Sequence, residues 1–260
     1  MFEIFKKKTK KIQAFPIFEP LGTDMHCHLL PNVDDGSTSI EESSACLQVM
    51  ESVGFNKVIC TPHFQYPRFP NIETDITKYY ATMKNKIASL GVNSAIELSG
   101  IGGEYRIDSG FPERMAANKF LLVGGKYLLV ELSLHQQVVG IEETLFNLQM
   151  KNHEIILAHP ERYPYYSSQS PYYERFKDMG INFQVNILSL SGFYGELPRR
   201  KAFEMIERGW VEYLGTDTHN MLYGQALVDA SRDHKIEKLI SSKTFLNSQI
   251  TLPETPKKKF

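Results

Sequence analysis

Seven short apolar runs, each followed by a stretch with helical spacing, constrain this chain more than any other feature. The runs fall at residues 21–26, 57–61, 95–99 continuing toward Glu104, 127–132, 154–158, 182–186 and 211–215. Helical periodicity lies between them, near residues 38–53, 72–90, 112–118, 141–152, 171–180, 198–209 and 224–242. Such alternation predicts an α/β protein with a parallel sheet, because parallel neighbours need a crossover long enough to hold a helix. Ser37-Thr38-Ser39 ahead of Glu41 and Glu42 supplies a helix cap with acids in the first turn, and Gly54 supplies a stop. Pro171 and Pro198 near helix starts, with Gly180 and Gly209 near their ends, punctuate two later helices. The segment 120–126, FLLVGGK, adds a small strand and turn. No low-complexity segment or linker-length gap interrupts the pattern. One domain is therefore expected over residues 21–250, between basic tails at 1–20 and 251–260.

Charge narrows the function. The 260 residues carry 29 basic and 30 acidic side chains, but the basic ones crowd the ends. Lys6, Lys7, Lys8, Lys10 and Lys11 stand beside Glu3 at one end, and Lys257, Lys258 and Lys259 at the other. Positions 12–256 keep 21 basic against 29 acidic residues, a net charge of −8. An acidic body argues against nucleic acid as a partner and suits a protein that holds cations. No stretch of 18 apolar residues is present, so no transmembrane segment is expected, and Pro16, Glu19 and Pro20 interrupt the only candidate secretory stretch. Three scattered cysteines without CxxC spacing fit a reducing, cytoplasmic setting.

The residues that follow the strands carry the chemistry. Asp24-Met25-His26-Cys27-His28 and Asp34-Asp35-Gly36 follow the first, and Thr61-Pro62-His63 the second. Gly103-Glu104-Tyr105-Arg106 follows the third, and Glu131 ends the fourth. His159-Pro160-Glu161-Arg162-Tyr163 follows the fifth, and Asp217-Thr218-His219-Asn220 the seventh. In parallel α/β barrels and open sheets, function gathers at the C-terminal strand ends, so these groups should converge on one mouth. Residues i and i+2 of an extended segment point the same way, which lets His26 pair with His28, and Asp217 with His219.

With Asp35, His63, Glu104, Glu131 and His159 these make nine nitrogen and oxygen ligands, enough for two or three ions. Mixed imidazole and carboxylate donors without thiolate suit manganese, iron or zinc better than copper or calcium. Clustered metals lower the pKa of water, so that hydroxide exists near neutral pH, and they bind phosphoryl oxygens. The expected reaction class is metal-assisted hydrolysis. A guanidinium binds phosphate bidentately, which nominates Arg162 first and Arg106 second as catalytic cations. The aromatic run Tyr163-Pro164-Tyr165-Tyr166 with Tyr172 and Tyr173 is a candidate lining of the mouth, as are Phe64, Tyr66 and Phe69.

Taken together, HCHLLPNVDDGS, TPH, GGE, HPERY and TDTHN resemble the polymerase and histidinol phosphatase (PHP) superfamily over about residues 21–240. Within it the chain is similar to bacterial manganese-dependent tyrosine-protein phosphatases of capsular and exopolysaccharide synthesis. The resemblance implies a distorted seven-stranded (β/α)7 TIM-like barrel and up to three ions. It places the metal ligands on His26, His28, Asp35, His63, Glu104, Glu131, His159, Asp217 and His219, and the phosphate-binding arginine on Arg162. The implied substrate is a phosphotyrosine protein, often the tyrosine-rich tail of a membrane-associated bacterial tyrosine kinase. A small-molecule phosphatase resembling histidinol phosphatase is the alternative enzyme, and a noncatalytic scaffold the alternative of another class. The family pattern has a second arginine shortly after the final DxHN, where this chain has Gln225, so that either the neutral amide of Gln225 or Arg106 takes its place.

Overall fold

A computed structural model describes residues 13–91 and 95–250. Its strands are β1 (Thr23–Asp24), β2 (Lys57–Cys60), β3 (His63–Phe64), β4 (Glu97–Ile101), β5 (Glu104–Arg106), β6 (Tyr127–Glu131), β7 (Glu154–Ala158), β8 (Asn182–Asn186) and β9 (Val211–Gly215). The helices are α1 (Ile40–Ser52), α2 (Glu73–Ser89), α3 (Phe111–Ala117), α4 (Ile141–Met150), α5 (Pro171–Asp178), α6 (Ile187–Leu190), α7 (Glu196–Glu207), α8 (Met221–Ala230) and α9 (His234–Ser242). Every ladder is parallel, in the orders β1-β2-β4 and β3-β5-β6-β7-β8-β9.

The two sheets form one ring of seven strand positions. β3 continues β2 past Thr61-Pro62, and β5 continues β4 past Gly102-Gly103, with Gly102 N donating to Cys60 O at 2.8 Å and Glu104 N to Pro62 O at 3.0 Å. At the other seam, Asp217 N donates to His26 O at 2.8 Å and His28 N to Thr218 O at 2.9 Å, joining the ends of β9 and β1. This is the expected distorted (β/α)7 barrel arrangement, in a single domain.

Strand alternation sorts the core into two parts. Met25, Ile59, Leu129, Ile156, Ala158 and Tyr213 belong to a small buried cluster inside the ring. Their neighbours Val58, Leu128, Val130, Leu157 and Leu214 point outward and pack under helical residues such as Leu47, Leu145, Phe176 and Met205. Each such side chain contributes about 1.5–3 kcal/mol by leaving water.

Several boundaries differ from the sequence expectation for local reasons. The helix expected at 224–242 is two helices. Asn220 starts α8 by accepting from Leu222 N, and the Asp233 side chain accepts from Lys235 N at 2.8 Å and starts α9 anew. The first strand shortens because Glu19–Leu21 forms a 3-10 turn closed by Gly22 at φ 66°. In 120–126 only Val123 bridges, to Tyr127, around the Gly124-Gly125 turn. The lysine runs of both expected tails lie outside the described residues. Residues 13–20 pack on the barrel, with Phe18 buried and stacked on Phe55 at 5.7 Å. No helix among the described residues is long and apolar enough to cross a membrane.

Candidate metal centre and active site

All nine nominated ligands stand at the C-terminal mouth of the ring. His26 Nε2 lies 3.2 Å from His28 Nε2, 3.4 Å from Glu104 Oε1 and 3.6 Å from Asp217 Oδ1. His159 Nε2 is 2.9 Å from Glu104 Oε1 and 3.8 Å from Glu131 Oε1. His63 Nδ1 is 2.8 Å from Glu104 Oε2, and its Nε2 is 3.5 Å from Asp35 Oδ1. His219 Nε2 lies 3.6 Å from the same Asp35 oxygen. Eight of the nine share triads whose donor atoms all lie within 4.8 Å of one another; Asp35 stands at the rim.

Local geometry explains how so many polar groups converge. His159 and Asp217 have φ of 32° and 53°, left-handed conformations uncommon for residues with a Cβ, and His159 is further constrained by Pro160. Both turn the chain sharply at a strand end and aim the side chain back across the ring. Gly36 is required in the Asp34-Asp35-Gly36 turn because a Cβ there would stand 2.0 Å from His28 O.

Partners outside the cluster fix the imidazoles. His26 Nδ1 meets Gln184 Oε1 at 2.7 Å, His28 Nδ1 meets Asp34 Oδ2 at 2.9 Å, and His219 Nδ1 meets Asp217 O at 2.8 Å. In each ring the other nitrogen is left for the centre, the arrangement that sets the tautomer of a metal-binding histidine. Glu104 Oε2 and His63 Nδ1 are buried without a hydrogen-bond partner although they lie 2.8 Å apart. Donor atoms this crowded, two of them without a hydrogen bond and none of them a thiolate, fit divalent cations.

The electrostatics agree with that chemistry. Burial opposes a charge on His26 and His63, but Glu104, with Asp217 beside His26, outweighs it and raises them to about 9 and about 10. Protons and cations therefore compete for these nitrogens. Burial and the neighbouring Glu104 push Glu131 up to about 7, while burial lowers His159 to about 4. A cation among these groups would relieve the repulsion between the carboxylates.

Above the cluster is a cavity of about 210 Å3, lined by His63, Asp35, His219 and Tyr223 and by three arginines, Arg68, Arg106 and Arg162. Arg162 Nη1 donates to Asp217 Oδ2 at 2.8 Å, and its guanidinium lies 4.2 Å from the Tyr194 ring centre. Arg106 Nη1 donates to Glu131 Oε2 at 3.2 Å. Gln225 does not line the cavity; its amide donates to Asp229 Oδ1 at 3.4 Å along α8.

The tyrosine run is not the lining of the mouth. Tyr163, Tyr166 and Tyr173 are buried in the core, and the Tyr163 hydroxyl donates to Ala158 O at 2.7 Å while accepting from Leu132 N at 2.9 Å. Phe64 is buried too, whereas Phe69 stacks on His63 at 5.7 Å. Sequence reasoning missed Asp34, Gln184, Asn186, Tyr194 and Arg68. Two of them had a signal: Gln184 and Asn186 alternate in an apolar strand, the one strand without a histidine or carboxylate at its end.

Comparison with known proteins places the chain in a family. Residues 22–244 match the family model for capsular polysaccharide synthesis, CpsB/CapC. The chain is 28% identical to the tyrosine-protein phosphatase CpsB of Streptococcus pneumoniae over 204 residues, 76% of this chain and 83% of that one. It is 26% identical to the tyrosine-protein phosphatase YwqE of Bacillus subtilis over 200 residues, 76% and 77% of the two chains. Among solved structures, one described as YwqE from Bacillus subtilis and CpsB from Streptococcus pneumoniae, metal-dependent tyrosine phosphatases, superposes with a TM-score of 0.73 at 20% identity. That match covers 90% of this chain and 97% of the other. The barrel, with its crowded imidazoles and carboxylates, and the match along most of its length lead to one conclusion: the chain belongs to the CpsB/CapC family of capsular polysaccharide synthesis.

Proposed function

We propose that the chain is a metal-dependent protein-tyrosine phosphatase, a phosphoric monoester hydrolase acting on phosphotyrosine. The observation that carries this reading is the convergence, beneath one cavity, of nine imidazole and carboxylate side chains with the Arg162 guanidinium beside them. His26, His28, Asp35, His63, Glu104, Glu131, His159, Asp217 and His219 would hold two or three divalent ions, manganese first, with iron or zinc as chemically admissible replacements. Such ions supply acidified water near neutral pH and positive charge for the phosphoryl oxygens.

The chain's own groups do the rest. Asp217 and the face of Tyr194 hold Arg162, so its remaining N–H groups meet a phosphoryl oxygen without searching for an orientation. Arg106, tied to Glu131, faces the cavity from the end of β5. Gln184 and Asp34 keep His26 and His28 turned toward the centre. A phenolate leaving group has a pKa of about 10, so it departs with little proton assistance, and the site needs no strong general acid.

The relatives named tyrosine-protein phosphatases support the substrate class. We take the partner to be the phosphorylated, tyrosine-rich tail of a membrane-associated bacterial tyrosine kinase in capsule synthesis, met in the cytoplasm. The basic ends outside the 21–250 barrel would favour an acidic phosphorylated tail or an anionic membrane surface. The test compares turnover of a phosphotyrosyl peptide and of histidinol phosphate in manganese. Preference for the peptide supports the reading, and preference for the alkyl phosphate transfers the chain to small-molecule phosphatases. A parent protein that binds manganese but turns over neither would be a scaffold.

A further inference from the structure

Three carboxylates of the cluster divide their oxygens in the same way. Asp217 turns Oδ1 to His28 Nε2 at 3.2 Å and Oδ2 to Arg162 at 2.8 Å. Glu131 turns Oε1 to His159 at 3.8 Å and Oε2 to Arg106 at 3.2 Å. Asp35 turns Oδ1 to His63 and His219 at 3.5 and 3.6 Å, and Oδ2 to Arg68 Nη2 at 3.1 Å. Three arginines on three different strand-end segments thus stand around one cavity, each tied by a single carboxylate to the imidazole cluster below.

From this repetition we infer that Arg68 is a phosphate-binding residue, supplying on the His219 side of the cavity the second cation that α8 does not carry. The inference rests on the phosphatase reading above and names a further residue of its substrate site. α8, Met221–Ala230, has no basic residue, so nothing on that helix can neutralise an anion. Asp35 bridges from His219, just ahead of α8, to Arg68 on the segment after β3, and so brings a guanidinium to the wall that α8 leaves uncharged.

The segment that carries Arg68 is built rather than loose. Gln65 and Phe69 exchange backbone hydrogen bonds, Gln65 N to Phe69 O at 3.0 Å and the reverse at 2.6 Å. Phe69 stacks on the His63 ring with 6° between planes, and the Arg68 guanidinium lies 4.7 Å from the Phe69 ring centre. Asn71 ties the segment back by donating to Val33 O and His63 O at 2.9 and 2.7 Å. Arg68 is 61% exposed, and as a mere rim ion pair with Asp35 it would add little to stability. Exposure suits a group that must reach an incoming phosphate dianion, for which a guanidinium offers several donors beyond the one Asp35 uses.

The experiment uses the manganese-loaded full chain and its Arg68→Ala, Arg68→Lys and Arg162→Ala variants, with inorganic phosphate as the probe. Metal content, the inhibition constant of phosphate and the kinetics with p-nitrophenyl phosphate are measured for each. For Arg68→Ala the expected result is a phosphate inhibition constant raised roughly 10- to 100-fold at unchanged metal content, because one charge-assisted contact is lost. Arg68→Lys should recover part of it. An unchanged constant overturns the inference, and so does loss of metal in Arg68→Ala, which would mean that Arg68 only positions Asp35. Arg162→Ala separates the two levels: if it weakens phosphate while Arg68→Ala does not, only the inference fails, and if neither variant changes phosphate binding the phosphatase reading fails with it.

Discussion

His26 Nδ1 lies 2.7 Å from Gln184 Oε1, and this amide comes from β8, the one strand position whose end offers neither imidazole nor carboxylate. Gln184 in turn donates to Asn186 Oδ1 at 2.9 Å, and Asn186 donates to Asp217 Oδ2 at 2.7 Å, so β8 serves the cluster through its amides. Replacing Gln184 with Leu leaves His26 Nδ1 without its buried acceptor and frees the ring to adopt the other tautomer. We expect Gln184→Leu to weaken manganese affinity about 10- to 100-fold, the usual cost of losing such a support. Titration of metal-free protein by calorimetry checks it, and an affinity equal to the parent's would show that His26 needs no orienting partner.

Arg162 is held against Asp217 and Tyr194, where both the geometry and the charge of a guanidinium are used. Arg162→Ala should lower kcat for an aryl phosphate roughly 10²- to 10³-fold, the scale seen when one preorganised donor to a transition state is removed. Arg162→Lys should restore little, since an ammonium lacks the planar fork that pairs with Asp217 and stacks on Tyr194. Metal analysis on the same preparations decides the interpretation: ions lost along with activity would make Arg162 a support for Asp217 instead.

What the sequence discloses depends on how local the cause is. β7, β8 and β9 were legible to the residue because a buried parallel strand is a short apolar run closed by a turn signal. β3 and β5 were not, since each has two or three ladder residues and exists only because its neighbour continues past a Pro or Gly break. The same rule separates the site residues. The nine candidate ligands follow strand ends, a position visible in one dimension, and the structure brings all of them to one mouth. Arg68 and Tyr194 come from connecting segments, where no periodicity says which way a side chain points. The tyrosines after His159 stand beside a ligand in sequence but not beside the cavity, because α5 carries Tyr173 back under the barrel's outer face.

Metal removal tests the cluster as a unit. Glu104, Glu131 and Asp217 are all buried with oxygens directed at one centre, and without cations their repulsion is offset by protons on the imidazoles and by Arg106 and Arg162 at the edge. A ligand that binds only the folded state stabilises by RT ln(1 + [L]/Kd), about 2.7 kcal/mol at a hundredfold excess over Kd. Manganese at that excess should raise the thermal midpoint by roughly 2–4 °C per kcal/mol, and a chelator should reverse the rise. Scanning calorimetry with and without chelator reads this directly. A midpoint indifferent to manganese would mean that the nine side chains are satisfied by one another.

Lys201 is a buried amine far from solvent in α7. Its Nζ donates to Tyr163 O at 2.7 Å, and its ring neighbour is Tyr173 at 5.9 Å. Burial lowers its pKa to about 8, with Glu161, on the turn after β7, the one acid opposing that shift. A lysine whose folded pKa lies below its unfolded value binds fewer protons when folded, so stability rises with pH between about 8 and the unfolded value near 10.4. Lys201→Met removes that titration along with the hydrogen bond. Other groups titrate over the same range in both proteins, so the informative quantity is the difference between them. Relative to the methionine variant, the parent should gain about 2 kcal/mol of unfolding free energy between pH 7.5 and pH 9.5. Urea unfolding of chelator-treated protein at the two pH values measures it. A difference that stays constant with pH would place the amine in contact with water and its pKa near the ordinary lysine value.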